Sequence, residues 1–261
     1  MMLFDSHAHL AWCLDKQAAF ASEAERICPA QAYLAVSTTL KDSELTAVLA
    51  QRFPWIHAAV GVHPWAIDPT LPPPSVAMND LAKLIQSYPL TAIGEIGLDK
   101  SIIARVPLDQ QLTWFEQQLQ LALEYHLPVS IHCYKAWNEM LRLFQSSEYK
   151  QVRGVMHGFS GGAQMAKAFV ALGLGLGVGP TFLKANARRY HQMVETVGVQ
   201  HLVIESDAQP RPWDKACQQQ LGCLSQLTHS IAERLGACPR QIEAQLWHNS
   251  LFYFALGDAD G

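Results

Sequence analysis

An excess of positive charge is missing from this chain of 261 residues, in which 19 Lys and Arg stand against 23 Asp and Glu for a formal net charge of −4. That balance argues against a broad basic face for non-specific duplex binding and leaves room only for a local phosphate-binding cleft. Long apolar runs are missing too. The longest, Phe169 to Gly179, is short and glycine-rich, well below the roughly 20 residues that a spanning helix needs. No basic residue precedes Asp5, which interrupts any leader-like apolar core. A cytoplasmic protein is therefore expected, with no membrane association and no obligatory protein partner. The six cysteines include no CxxC pair, which argues against a disulfide scaffold and against zinc-finger ligation. Only 16% of residues are charged and 49% are apolar, so the chain can bury a sizeable core and carries no sign of extended disorder.

What is present is an alternation of short apolar runs with helical periodicity. The expected strands are Leu3–His7, Tyr33–Ser37, His57–Gly61, Thr91–Glu95, Val129–His132, Gly154–His157, Leu174–Val178 and Leu202–Glu205. Helices are expected over Lys16–Ile27, Asp42–Gln51, Val76–Ser87, Asp109–His126, Trp137–Phe144, Ala163–Ala171, Ala187–Val197, Ala216–Leu235 and Arg240–Phe254. The clearest is Asp109–His126, where Leu112, Phe115, Leu119 and Ala122 recur on one face and Asp109 is placed to cap. Eight strand and helix units in roughly 250 residues indicate an α/β fold, a (β/α)8 TIM-like barrel in one domain over residues 1–261, with an open doubly wound sheet as the alternative. The proline-rich stretch Asp68–Pro74 reads as a loop after the third strand, passive or a rim element. Gly173, Gly175, Gly177 and Gly179 leave one face of the seventh strand without side chains, either to make room inside the barrel or to pack helix against sheet.

Barrel enzymes build their sites at the carboxyl ends of the strands. Here those ends carry His7 and His9, His63, Glu95, His132, His157, and Glu205-Ser206-Asp207. His7 and His9, one residue apart, project together if the backbone is extended. His57, His126 and His201 fall at strand starts, on the opposite face, and His191, His229 and His248 fall in expected helices. Converging from separate strands, four histidines and two carboxylates supply the ligands of a two-metal site, since a carboxylate can bridge ions roughly 3.5–4 Å apart. This donor set suits two divalent metal ions, zinc, manganese or iron in the tight site, with an exchangeable magnesium or manganese beside it.

The segments Phe4-Asp5-Ser6-His7-Ala8-His9-Leu10, Gly61-Val62-His63-Pro64, Gly94-Glu95-Ile96-Gly97-Leu98-Asp99, Pro128-Val129-Ser130-Ile131-His132-Cys133, His157-Gly158-Phe159-Ser160-Gly161 and Glu205-Ser206-Asp207 together resemble the TatD family of metal-dependent hydrolases. The resemblance runs over essentially the whole chain. It implies a barrel of the amidohydrolase kind and DNA nuclease action, often exonucleolytic, on phosphodiester bonds. The expected partner is then DNA, single-stranded or at its 3′ ends, or a small phosphodiester. Carried over by position, His7, His9, Glu95 and Asp207 would hold one metal, and Glu95, His132 and His157 the other, with Glu95 as the bridge. His63 would touch the substrate or donate a proton near the scissile phosphate, and Asp207 would act as general base.

The chain departs from that family where substrate is expected. Tyr134, followed by Lys135, stands where an Arg commonly clamps phosphate; Lys100 replaces an aromatic residue; and the strand-eight motif is Glu205-Ser206-Asp207 with its proline displaced to Pro210. The segment Arg211 to Cys217 is shorter than the family's usual loop. Lys135 is the first candidate for substrate phosphates, with Lys184 and Arg188 beside it. Two other readings stay open: an amidohydrolase-type enzyme for a cyclic amide, lactone or phosphoester, against which Glu95 argues because many such enzymes bridge their metals with a modified lysine, and a non-catalytic quality-control paralogue.

Overall fold

The eight apolar runs pair, each with the next, into one parallel sheet in the order β1 to β8. The computed structural model describes residues 2–11, 30–208 and 222–257. The strands are β1 (Phe4–Ala8), β2 (Ala32–Val36), β3 (Ile56–Val60), β4 (Ala92–Asp99), β5 (Val129–Tyr134), β6 (Gly154–Met156), β7 (Leu174–Val178) and β8 (Leu202–Ile204). The seam between β8 and β1 is drawn together by a parallel bridge from Ala8 to Ala208, with Asp207 N–H donating to the His7 carbonyl at 3.0 Å and His9 N–H to that of Ala208 at 3.1 Å. The result is a nearly closed TIM barrel, and the open-sheet alternative falls away.

Around it lie α1 (Leu40–Arg52), α2 (Pro74–Ser87), α3 (Leu108–Glu124), α4 (Trp137–Gln145), α5 (Ala163–Ala171), α6 (Arg188–Val197), α7 (Cys223–Leu235) and α8 (Pro239–Tyr253). None among the described residues is long and apolar enough to cross a membrane. The helix expected over Lys16–Ile27 lies outside the described residues, as does the first part of the one expected from Ala216. Asp109 does not cap α3. Pro107 holds that position without a side-chain hydrogen bond, the helix begins at Leu108, and Asp109 sits in the first turn, where its charge favours the helix dipole. The proline-rich stretch leads straight into α2, with Pro74 in its first turn, where a missing N–H costs nothing.

Strand residues sort by parity into two apolar layers. Tyr33, Ile56, Ile93, Val129, Met156, Leu176 and Leu202 pack outward with the helices. Phe4, Leu34, Ala59, Ala92, Val155 and Val203 pack inward, where Tyr253 and Phe254 from the end of the chain close the floor. Two strands break strict alternation. Between Asp5 and Ala8 in β1, and between Ile93 and Ile96 in β4, three steps on one strand face two on its neighbour. Each bulge reverses the parity above it, so Phe4 and His7 both face inward, as do Ala92 and Glu95. β4 then runs four residues past its expected end at Glu95, pairing as far as Asp99 with Tyr134. Gly97 permits this: at φ 149° a Cβ there would lie 1.9 Å from the carbonyl oxygen of His132.

Candidate metal centre

Glu95 stands at the centre of the barrel mouth, buried, with its two oxygens turned to different histidines. Oε2 lies 3.4 Å from His7 Nε2 and 3.6 Å from His9 Nε2. Oε1 lies 3.0 Å from His132 Nδ1, 3.6 Å from His157 Nε2 and 3.4 Å from His63 Nε2. Asp207 Oδ1 is 3.8 Å from His9 Nε2, and the imidazoles of His7 and His157 stack with centroids 3.5 Å apart. Asp207 keeps a left-handed backbone at φ 47° and a side chain 38% exposed. All of these groups but the buried His7 line, together with Thr38, Thr39, Trp65 and Ala66, an open cavity of about 430 Å³.

The donors fit divalent ions. Three overlapping sets, His7 with His9 and Glu95, His7 with His157 and Asp207, and His63 with Glu95 and His132, each bring their ligand atoms within 4.8 Å of one another. His7 Nε2 is buried, without a well-aligned hydrogen bond and with Glu95 Oε2 at 3.4 Å, an arrangement that an ion between the two would satisfy. Imidazole and carboxylate together suit ions of intermediate hardness.

The far side of most ligands is held as well, which fixes ring orientation and tautomer. His7 Nδ1 meets Ser130 Oγ at 3.1 Å. His132 Nε2 meets Asp99 Oδ2 at 3.1 Å, and the same oxygen accepts from Trp65 Nε1 at 2.7 Å. His157 Nδ1 meets Glu205 Oε1 at 3.0 Å, which also accepts from Gly158 N–H at 2.6 Å. His63 Nδ1 accepts from Trp65 N–H at 3.1 Å.

Electrostatics divides the ligands. Burial lowers His7 and His63 below the ordinary imidazole range and takes His9 down to about 4, which favours a lone pair on His7 and His9 for an ion. Burial pushes Glu95 upward, but the ring of histidines, His63 and His7 foremost, more than offsets it and holds the carboxylate well below its usual range. Burial also acts against a charged His157, yet Glu205 beneath it raises the imidazole to about 10. Asp207 is raised by burial. Without metal, His157 therefore carries a proton that an incoming ion must displace.

The six residues expected as ligands, His7, His9, Glu95, His132, His157 and Asp207, gather here with His63 among them. Lys135 does not: it lines a neighbouring pocket with Arg188, and Lys184 lines neither. Asp99, Ser130 and Glu205 were not singled out as site residues from the sequence. Strand parity carried a signal for Asp99, which falls on the Glu95 face of β4, and the bare inner face of β7 carried one for Glu205. Gly175 leaves space for the Tyr253 ring, and a Cβ on Gly177 would lie 2.2 Å from Glu205 Oε2. Those glycines make room inside the barrel.

Residues 4–255 match the family model described as TatD related DNase. An uncharacterized metal-dependent hydrolase, YjjV of Escherichia coli K12, is 30% identical over 167 residues, 63% of this chain and 62% of that protein. The 3′-5′ ssDNA/RNA exonuclease TatD of a Pantoea strain is 28% identical over 240 residues, covering 85% of this chain and 87% of its own. The crystal structure of E. coli YjjV superposes on 97% of this chain and 98% of its own with a TM-score of 0.80 at 22% identity, a likeness of fold.

Proposed function

This chain belongs to the family of TatD-related DNases, and on that premise we propose that it hydrolyses phosphodiester bonds in single-stranded nucleic acid, from 3′ ends, at a two-metal centre. It is a hydrolase of ester bonds that depends on metal, as its relatives' names describe them. The observation that carries the two-metal reading is the division of Glu95, one oxygen toward His7 and His9 and the other toward His132 and His157.

In this reading His7, His9, Glu95 and Asp207 would hold one ion, and Glu95, His132 and His157 the other. Zinc, manganese or iron suits the imidazole-rich donors, with magnesium or manganese exchangeable beside them. When bound, such ions bring a water toward neutral pKa and polarise the phosphoryl oxygen. Asp207, partly open to the cavity, takes the proton of the attacking water. His63, fixed through Nδ1 by the Trp65 amide, turns Nε2 to the cavity to contact the phosphate or protonate the leaving oxygen. Asp99, Ser130 and Glu205 keep the rings aimed.

The test is cleavage of end-labelled single-stranded DNA with added divalent ion, beside Asp207→Asn, together with metal analysis. Expected are shortening from the 3′ end, loss with a chelator, loss in Asp207→Asn, and two ions per chain. Undiminished turnover by clean Asp207→Asn protein removes its role as base; one ion at saturation removes the two-metal reading.

A further inference from the structure

We infer that the pocket lined by Tyr134, Lys135, Trp137, Arg188, Arg189 and Tyr190, next to the metal centre, holds a second phosphate of the substrate strand, one that is not cleaved. The inference deepens the nucleic-acid reading above and rests on it.

The pocket, of about 410 Å³, opens on the same carboxyl-end face, after β5, β6 and β7. Tyr134 lies two residues beyond His132 on β5, hence on the same side of that strand, a step of about 7 Å. Ser160, also on the pocket wall, follows His157 by three residues. An extended strand bound at the metal centre therefore reaches this pocket within a nucleotide or so.

Its charge is of one sign. Lys135, Arg188 and Arg189 are exposed, no carboxylate lines the pocket, and among the described residues none of the three forms an ion pair, although the chain as a whole is negative. Nothing in the local structure calls for these cations. Arg188 and Arg189 occupy the first turn of α6, behind Ala187, which gives no side-chain cap; positive charge there opposes the helix dipole. Lys135 takes a left-handed backbone, φ 57°, disfavoured for any residue with a side chain, and this sets its Nζ 5.1 Å over the Tyr134 ring. Two unfavourable placements converge on one pocket, and an anion there compensates both. Tyr134, 41% exposed, and Trp137 add aromatic surface of the kind on which a base stacks.

The test is Arg188→Gln/Arg189→Gln, both exposed and both relieved of an unfavourable helix-end charge, so the fold is kept. KM for a single-stranded octanucleotide should rise tenfold or more with kcat within about twofold, and that loss should exceed the loss on bis(4-nitrophenyl) phosphate, which has one phosphate only, at least tenfold. In the Asp207→Asn background, octanucleotide binding should weaken likewise, and its salt dependence should fall by about 0.7 per lost contact. Comparing 5′-phosphorylated, 3′-phosphorylated and unphosphorylated strands separates a terminal monoester from an internal diester as the occupant. Equal losses on both substrates, or unchanged octanucleotide binding, overturn the subsite. Absence of oligonucleotide cleavage by the unmodified enzyme overturns the nucleic-acid reading instead; if the octanucleotide also fails to bind Asp207→Asn protein, both fall.

Discussion

Gly177 and Glu205 share one space: a methyl group on Gly177 would lie 2.2 Å from Oε2 of Glu205. β7 has given up a side chain so that a buried carboxylate can sit beneath His157. Gly177→Ala should therefore destabilise the metal-free protein by about 1–3 kcal/mol, the usual cost of overpacking, and turn His157 out of alignment. Denaturant unfolding reads the first effect, and metal content after dialysis the second. A variant as stable and as fully loaded as the parent would show that Glu205 can move freely.

Asp99 is the common partner of His132 and Trp65. Asp99→Ala should weaken metal binding or activity about 10- to 100-fold, as loss of a ligand's orienting partner commonly does, with little change in secondary structure. Competition with a chelator measures it. Asp99→Asn, which keeps an acceptor for the Trp65 indole, should fall between the two.

Trp65 is 59% exposed at the cavity wall, yet its ring is held by Asp99 through Nε1, and Arg105 donates to its carbonyl at 2.8 Å. If the substrate is the nucleic acid proposed above, a rigid exposed ring beside the metal centre offers a platform for a base. Trp65→Ala should raise KM for single-stranded DNA about tenfold, in line with roughly 1–3 kcal/mol per stacked base, while Trp65→Phe keeps most of the affinity. An equal loss on a substrate without a base would assign Trp65 to support of Asp99 alone.

Asp5 lies fully buried below the site, accepting from Ser206 N–H at 2.9 Å, and burial raises its carboxyl from 3.8 to about 7. Between those values the folded protein holds a proton that the unfolded chain has released. Stability contributed by Asp5 is thus present at low pH and lost as pH climbs toward 7, by at most about 4 kcal/mol. Asp5→Asn should abolish that slope, so the variant gains on the parent between pH 4.5 and pH 8. Urea unfolding of metal-free protein at the two pH values checks the sign; a parent that gains stability relative to the variant over this range contradicts it.

Much of the barrel is legible in the chain because most strands are short apolar runs ended by a polar residue, and burial on both faces leaves little alternative. His7 and His9 could be paired from their spacing alone. Their direction could not: plain alternation from Phe4 would turn His7 outward, and a bulge, which depends on the register of a partner strand, turns it in. The same holds for Glu95 above Ala92. Glu205 is hidden for another reason, since the space it fills is defined by glycines some thirty residues away. Asp109 shows the limit of local rules, because Pro107 already ends the preceding segment and starts the helix two residues early. Lys135 is suggested by its place after Tyr134, where the resembled family commonly carries an Arg; the left-handed turn at that residue carries it into the next pocket.

The groups around Glu95 come from both ends of the barrel sequence, His7 and His9 from β1 and Asp207 just past β8, where the last seam is drawn together. The first strand carries two of the six expected ligands, and the last of them, Asp207, follows His7 by 200 residues. A product truncated before β8 lacks Asp207 and cannot bring the full set together. Assembly of the complete ligand set is thereby tied to completion of the fold.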